Sequence, residues 1–111
     1  MQLNEQTTGS VSVLALSGRF ERSTAPDVNR WLDTVVGQRG RVVIDLVGVT
    51  FLDSSALAVL VGGMKRCRQV GGDVRLCGLQ QPVRIIFELT RLDRAFEIYP
   101  GRDEAVMSFD A

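Results

Sequence analysis

Residues 41–47 constrain this chain most. They read Arg-Val-Val-Ile-Asp-Leu-Val, a short and nearly continuous apolar run. Flanking glycines and β-branched side chains favour a strand over a helix. The absence of polar alternation buries that strand on both faces. A strand covered on both sides sits at the centre of a sheet that carries helices.

The segments around it supply those partners. Residues Ser10–Ser17 alternate, with Val11 and Val13 on one side and Leu14 and Leu16 on the other, which predicts a second strand. Gly9 before it turns the chain back from an earlier strand over roughly Leu3–Thr7, and Gly18 closes it. Thr24-Ala25-Pro26-Asp27 opens a helix in which Thr24 caps the free amides and Asp27 answers it. Val28, Trp31, Leu32 and Val35 follow as one apolar stripe, stopped between Gly37 and Gly40.

A second helix is expected from about Ser54 to Val70. Its core stripe is Leu57, Leu60, Val61, Met64 and Cys67, and Gly71-Gly72 ends it. Val74, Leu76 and Cys77 form a short strand. Gln81-Pro82 starts a third helix with Val83, Ile86 and Phe87 inward. Phe96, Ile98 and Tyr99 read as a last strand or extended segment, and Asp103–Phe109 as a terminal helix. The predicted order is β-β-α-β-α-β-α-β-α, an α/β sandwich with right-handed crossovers and a sheet made mixed by its first hairpin.

Size and composition narrow what such a sandwich does. With 111 residues, the chain is expected to be one domain, 1–111. Thirteen basic and thirteen acidic residues cancel, which argues against nucleic-acid binding. The absence of histidine excludes a Ser-His-Asp triad and a histidine metal site. Cys67 and Cys77 are too few for structural zinc and read as free, buried thiols in a reducing cytoplasm. No apolar run approaches the ~20 residues of a membrane span, and none is framed as a signal peptide.

The chemistry-bearing segment is Val49-Thr50-Phe51-Leu52-Asp53-Ser54-Ser55-Ala56-Leu57, which joins the central strand to the second helix. Functional groups collect at such edges. Asp53 is placed to cap the helix, with Ser54 and Ser55 in a first turn whose amides lack helical partners and favour anions. A phosphate on a hydroxyl there meets free N–H groups and a favourable field. Simple capping is the alternative reading of the same three residues.

On the second helix, Ser55, Ala58, Val59, Gly62 and Arg66 share the side opposite the core stripe. Small residues replace the long charged side chains of an ordinary surface helix. Gly62-Gly63 costs ~1 kcal/mol per residue relative to alanine. Close approach by another chain and tight packing on the domain's own sheet are equal candidates to offset it.

In this context the chain resembles a STAS domain of the bacterial anti-sigma factor antagonist family over essentially its whole length. Gly18-Arg19-Phe20-Glu21 through Thr24-Ala25-Pro26 is similar to the family's Gly-x-Leu-Asp and Thr-Ala-Pro stretch. Val43-Ile44-Asp45-Leu46 resembles its central strand, and Phe51-Leu52-Asp53-Ser54-Ser55 its phosphorylation segment. Leu92–Tyr99 resembles its C-terminal strand region.

The resemblance implies a binding switch. Ser55 takes the place of the phosphoacceptor, with Asp45, Asp53 and Ser54 as its surroundings. An anti-sigma factor with serine kinase activity modifies it, and a metal-dependent serine phosphatase reverses the step. The unmodified protein binds the anti-sigma factor and frees a sigma factor. Partner contacts are expected at Glu21, Arg22, Ala58, Val59, Gly62 and Arg66. Two departures stand out: Ala56 replaces the usual glycine, with its methyl expected beside the acceptor, and Arg22 adds a long cation to the docking edge.

A monomer or weak homodimer without cofactor is expected. A non-catalytic scaffold subunit of a stress-signalling complex or a phospholipid-transport assembly is the alternative. An enzyme is not expected, since no Gly-x-Ser-x-Gly elbow, Gly-x-Gly-x-x-Gly turn or phosphate loop is present. A phospho-aspartate receiver would need an early acidic pair and a late lysine, which are missing.

Overall fold

The computed structural model describes residues 1–110. Its strands are β1 (Gln2–Thr8), β2 (Val11–Phe20), β3 (Arg41–Leu52), β4 (Asp73–Cys77) and β5 (Ile98–Tyr99). Its helices are α1 (Ala25–Val36), α2 (Ser54–Gln69), α3 (Gln81–Leu89) and α4 (Arg102–Met107). One sheet runs in the order β1-β2-β3-β4-β5, antiparallel only between β1 and β2. The mixed sheet and the order of elements are those the sequence predicts.

Two cores of unequal size lie on the two sides of the sheet. The larger gathers Val42, Ile44 and Leu46 of β3 with Leu32 of α1, Leu60 and Met64 of α2, and Phe87 of α3. The smaller sets Val43, Val13 and Cys77 against Ala105 of α4. Val42 and Val43 thus face opposite layers, as adjacent strand residues must. This is the doubly buried strand expected from residues 41–47.

That strand is longer than its apolar run. It continues through Val47–Leu52 because β3 bulges twice against β2. From Ala15 to Ser17, β2 advances two residues while its β3 partners advance three, from Asp45 to Gly48. The step from Gly18 to Arg19 likewise spans Val49 to Phe51. Each extra residue reverses which face the following side chains occupy. Leu46, Val49 and Leu52 therefore reach the same core at spacings of three. A Cβ added at Gly48 would stand 2.9 Å from the Leu16 carbonyl oxygen and 3.0 Å from Ser17 Cα, so only glycine fits at the first bulge.

Several local expectations change. Thr24 makes no side-chain cap for α1. Its Oγ1 instead accepts from the Glu21 amide at 3.0 Å, locking the loop ahead of the helix. Trp31 is half-buried, its ring N–H donating to the Glu5 carboxylate. On α2, Ala56 and Gly63 are buried, whereas Leu57 and Val61 are half-buried. The core stripe is thus turned toward smaller residues. Gly63 explains why: a Cβ there would lie 2.6 Å from Leu32 Cδ1, so α2 crosses α1 closely at this point. The tight packing is against α1, not the sheet.

Candidate functional site

The site lies where β2 and β3 end side by side and hand over to α1 and α2. Asp53 organises it. One carboxylate oxygen, Oδ1, accepts from the Ala56 amide at 3.0 Å and caps α2. The other, Oδ2, accepts from the Arg22 amide at 3.0 Å. One side chain therefore ties the β2–α1 loop to the start of α2. These bonds, led by that from Ala56, hold the Asp53 carboxyl below the usual carboxylate range, against the opposing effect of desolvation.

The loop is held from its other side as well. The Glu21 carbonyl accepts from the Thr24 and Ala25 amides at 2.9 and 2.7 Å. The Glu21 carboxylate accepts from Arg19 Nε at 2.9 Å. The Arg19 guanidinium in turn lies 4.1 Å over the Phe51 ring. Glu21 thus sits on the rim with Arg19 already paired to it.

Ser54 is exposed and Ser55 half-buried. Ser55 opens onto a groove of about 470 Å3 between the two helix starts. Ala58 and Val59 extend its α2 wall beyond Ser55. Arg22, Ala25, Pro26 and Asn29 form the opposite wall. No hydrogen bond engages the Ser55 hydroxyl among the described residues. A second recess beside it, of about 540 Å3, is lined by Glu21, Arg22, Ser23 and Asp53. The arrangement presents the free Ser55 hydroxyl at the positive end of a helix, in a groove walled by small side chains and Arg22.

Four sequence expectations need adjustment. Asp45 does not stand by Ser55. It belongs to the opposite face of β3, where Arg102 Nη2 of α4 pairs with it at 2.9 Å and the Val47 amide donates to it at 3.0 Å. Ala56 is fully buried, so its methyl fills core space rather than edging the acceptor. Arg66 is held inside the chain, donating to Asn29 at 3.1 Å and pairing with Asp33 at 3.2 Å. Gly62 meets only Arg66 Nη1, at 3.3 Å from an added Cβ, so it and Gly63 have different neighbours.

Sequence reasoning missed Pro26 and Asn29 as groove residues. Their signal was present: Pro26, Asn29 and Asp33 recur at spacings of three and four beside the buried stripe of α1. Both cysteines lie away from the groove. Burial pushes the Cys67 thiol up to about 11 and the Cys77 thiol up to about 12. Among the described residues, no helix is long and apolar enough to cross a membrane. Nor do three metal-ligating side chains cluster there.

Fold and site together define a class: a small α/β module that displays a serine at the helix start following its central strand. The chain belongs to the STAS domain family, whose profile matches residues 2–105. It is 32% identical to an anti-sigma-B factor antagonist of Listeria monocytogenes, over 88% of this chain and 86% of that one. The crystal structure of an anti-sigma factor antagonist from Mycobacterium paratuberculosis superposes with a TM-score of 0.89 at 28% identity, covering 99% of this chain and 94% of that one. The Bacillus cell fate determinant SpoIIAA in its phosphorylated form shares the fold, with a TM-score of 0.78 at 17% identity, covering 99% of this chain and all of that one.

Proposed function

We propose that this protein is an anti-sigma factor antagonist whose binding is switched by phosphorylation of Ser55. The observation that carries the reading is the Ser55 side chain, unbonded and open to the groove at the capped start of α2. In its unmodified form the protein docks on an anti-sigma factor through this corner and releases a sigma factor. Glu21, Arg22, Ala58 and Val59 lie on the docking surface. The reaction is phosphoryl transfer from ATP. The Ser55 Oγ–P bond forms, the bond from the γ-phosphorus to its bridging oxygen breaks, ADP leaves and the hydroxyl proton is lost. The kinase supplies the catalytic groups, and this chain supplies the acceptor. A metal-dependent serine phosphatase returns the hydroxyl. The setting is cytoplasmic.

Electrostatics accounts for the switch. A phosphate adds roughly −1.5 to −2 charges at neutral pH, beside the already ionised Asp53. Burying an uncompensated dianion under a partner costs several kcal/mol. A loss of ~2.8 kcal/mol is about a hundredfold in affinity. No refolding is needed, and the shared fold of a phosphorylated relative supports that.

The test is intact-mass analysis after incubation with the cognate kinase and ATP. One added phosphate is expected in the native chain and none in Ser55→Ala. A phosphate that persists in the variant would refute the assignment.

A further inference from the structure

The groove beside Ser55 has one charged wall residue, Arg22. Among the described residues, no hydrogen bond or ion pair holds the guanidinium of Arg22, although its backbone amide is fixed on Asp53 Oδ2 at 3.0 Å. The neighbouring arginines are engaged. Arg19 is held by Glu21 and Phe51, Arg30 by Asp27, and Arg66 by Asn29 and Asp33. The corner therefore keeps one uncommitted cation, on a short tether, facing the wall that carries Ser55.

We propose that Arg22 is the intrachain counter-ion of phosphorylated Ser55, its guanidinium folding across the groove onto the phosphate. This rests on the reading of Ser55 as phosphoacceptor. A dianion placed there meets Asp53 at the helix cap and Glu21 on the rim, both negative. Arg19 is already paired with Glu21, and Arg66 is drawn back toward α1. Arg22 is left to offset part of the new charge, and the groove still gains net negative charge. The planar fork of a guanidinium suits two phosphate oxygens at once. The cost of bringing it over is low, because no existing bond of that guanidinium is broken.

The consequence is a second component to the switch. Once closed, the Arg22 side chain fills the recess that the partner would use and is itself withdrawn from the docking surface. Phosphorylation thus blocks the groove as well as charging it. A phosphatase must displace the same side chain to reach the phosphorus.

The test installs phosphoserine at position 55 during translation and follows its second ionisation by phosphorus NMR. Arg22→Gln is expected to raise that pKa by ~0.5 or more, about a threefold change in proton affinity, since a nearby cation favours the dianion. Arg19→Gln removes the same charge from the end of β2, where it is already paired with Glu21, and is expected to shift the value by less. Equal pKa values in all three chains would overturn the proposal, as would equal shifts in both variants. The phosphate is installed directly, so the titration stands whether or not a kinase modifies Ser55. Failure of the phosphoacceptor reading appears in the mass measurement, and failure of the counter-ion in this one.

Discussion

Asp45 lies within β3 and Asp53 just beyond its end, so the same side chain can be compared in two settings. Asp45 is buried beneath α4, with Arg102 and the Val47 amide as partners. Asp53 is on the open edge and bonds two amides from different segments. The first joins a helix to the far side of the sheet. The second shapes a surface around a free hydroxyl. A carboxylate on the central strand is therefore not in itself a mark of the functional corner. What distinguishes the two is the layer each faces and whether its partners leave neighbouring groups available.

The strongest test of this contrast crosses two variants. Asp45→Ala is expected to lower folding stability by about 2 kcal/mol, leaving Arg102 and the Val47 amide without their partner. The Arg102 side chain is 34% exposed, so solvent screens part of the loss. Its affinity for the anti-sigma partner should stay within twofold. Ser55→Asp should do the reverse: stability within ~0.5 kcal/mol of the native chain, and affinity down at least ~tenfold. Denaturant unfolding and titration calorimetry on both variants read the two axes. If Asp45→Ala weakens binding as much as Ser55→Asp does, the two ends are not separate.

A smaller effect concerns pH. The folded Asp53 carboxyl titrates below its ordinary 3.8, so its contribution is complete above that value and disappears as pH falls through the lower, folded value. The difference in Tm between the native chain and Asp53→Ala should be flat from neutral pH to about 5 and narrow on further acidification. A gap that stays constant through the acid range would show that the two amide bonds do not depend on ionisation.

The smallest effect separates adjacent glycines. Gly62→Ala should raise stability by up to ~1 kcal/mol, because the methyl gains helix propensity and meets only the Arg66 guanidinium, the far end of a long side chain that can shift slightly. Gly63→Ala should lose that gain and more, since its methyl would press into buried Leu32. Thermal unfolding of both tells them apart. A gain in both would mean that the α1–α2 crossing relaxes freely.

Much of this architecture was legible because the signals were local. The run at 41–47 announced a doubly buried strand, the stripe Val28–Leu32–Val35 announced α1, and Asp53-Ser54-Ser55 announced a capped helix start. The extension of β3 through Val47–Leu52 was hidden, since two bulges erase the period of two by which strands are read. The same bulges concealed which residues of that stretch face inward. Asp45 is misplaced for a related reason: a strand read only over 41–47 puts it near an end, and its position in sequence says nothing about which layer covers it. Pro26 and Asn29 were marked by their spacing along α1, but the bonds of Arg66 to Asn29 and Asp33 join segments distant along the chain, and no periodicity within one element reports them.

The amino-acid order by itself determined the succession of strands and helices, the Asp53 cap and the hydroxyl beside it. Each of those depends on residues within a turn or two of one another. Only the tertiary structure decided that Asp53 also holds the Arg22 amide, that Asp45 and Ser55 lie on different faces, and that Arg22 shares a groove with Ser55. Those facts depend on how strands of different registers stack and where helices cross. Packing of the whole chain settles such geometry, and neighbours in sequence do not encode it.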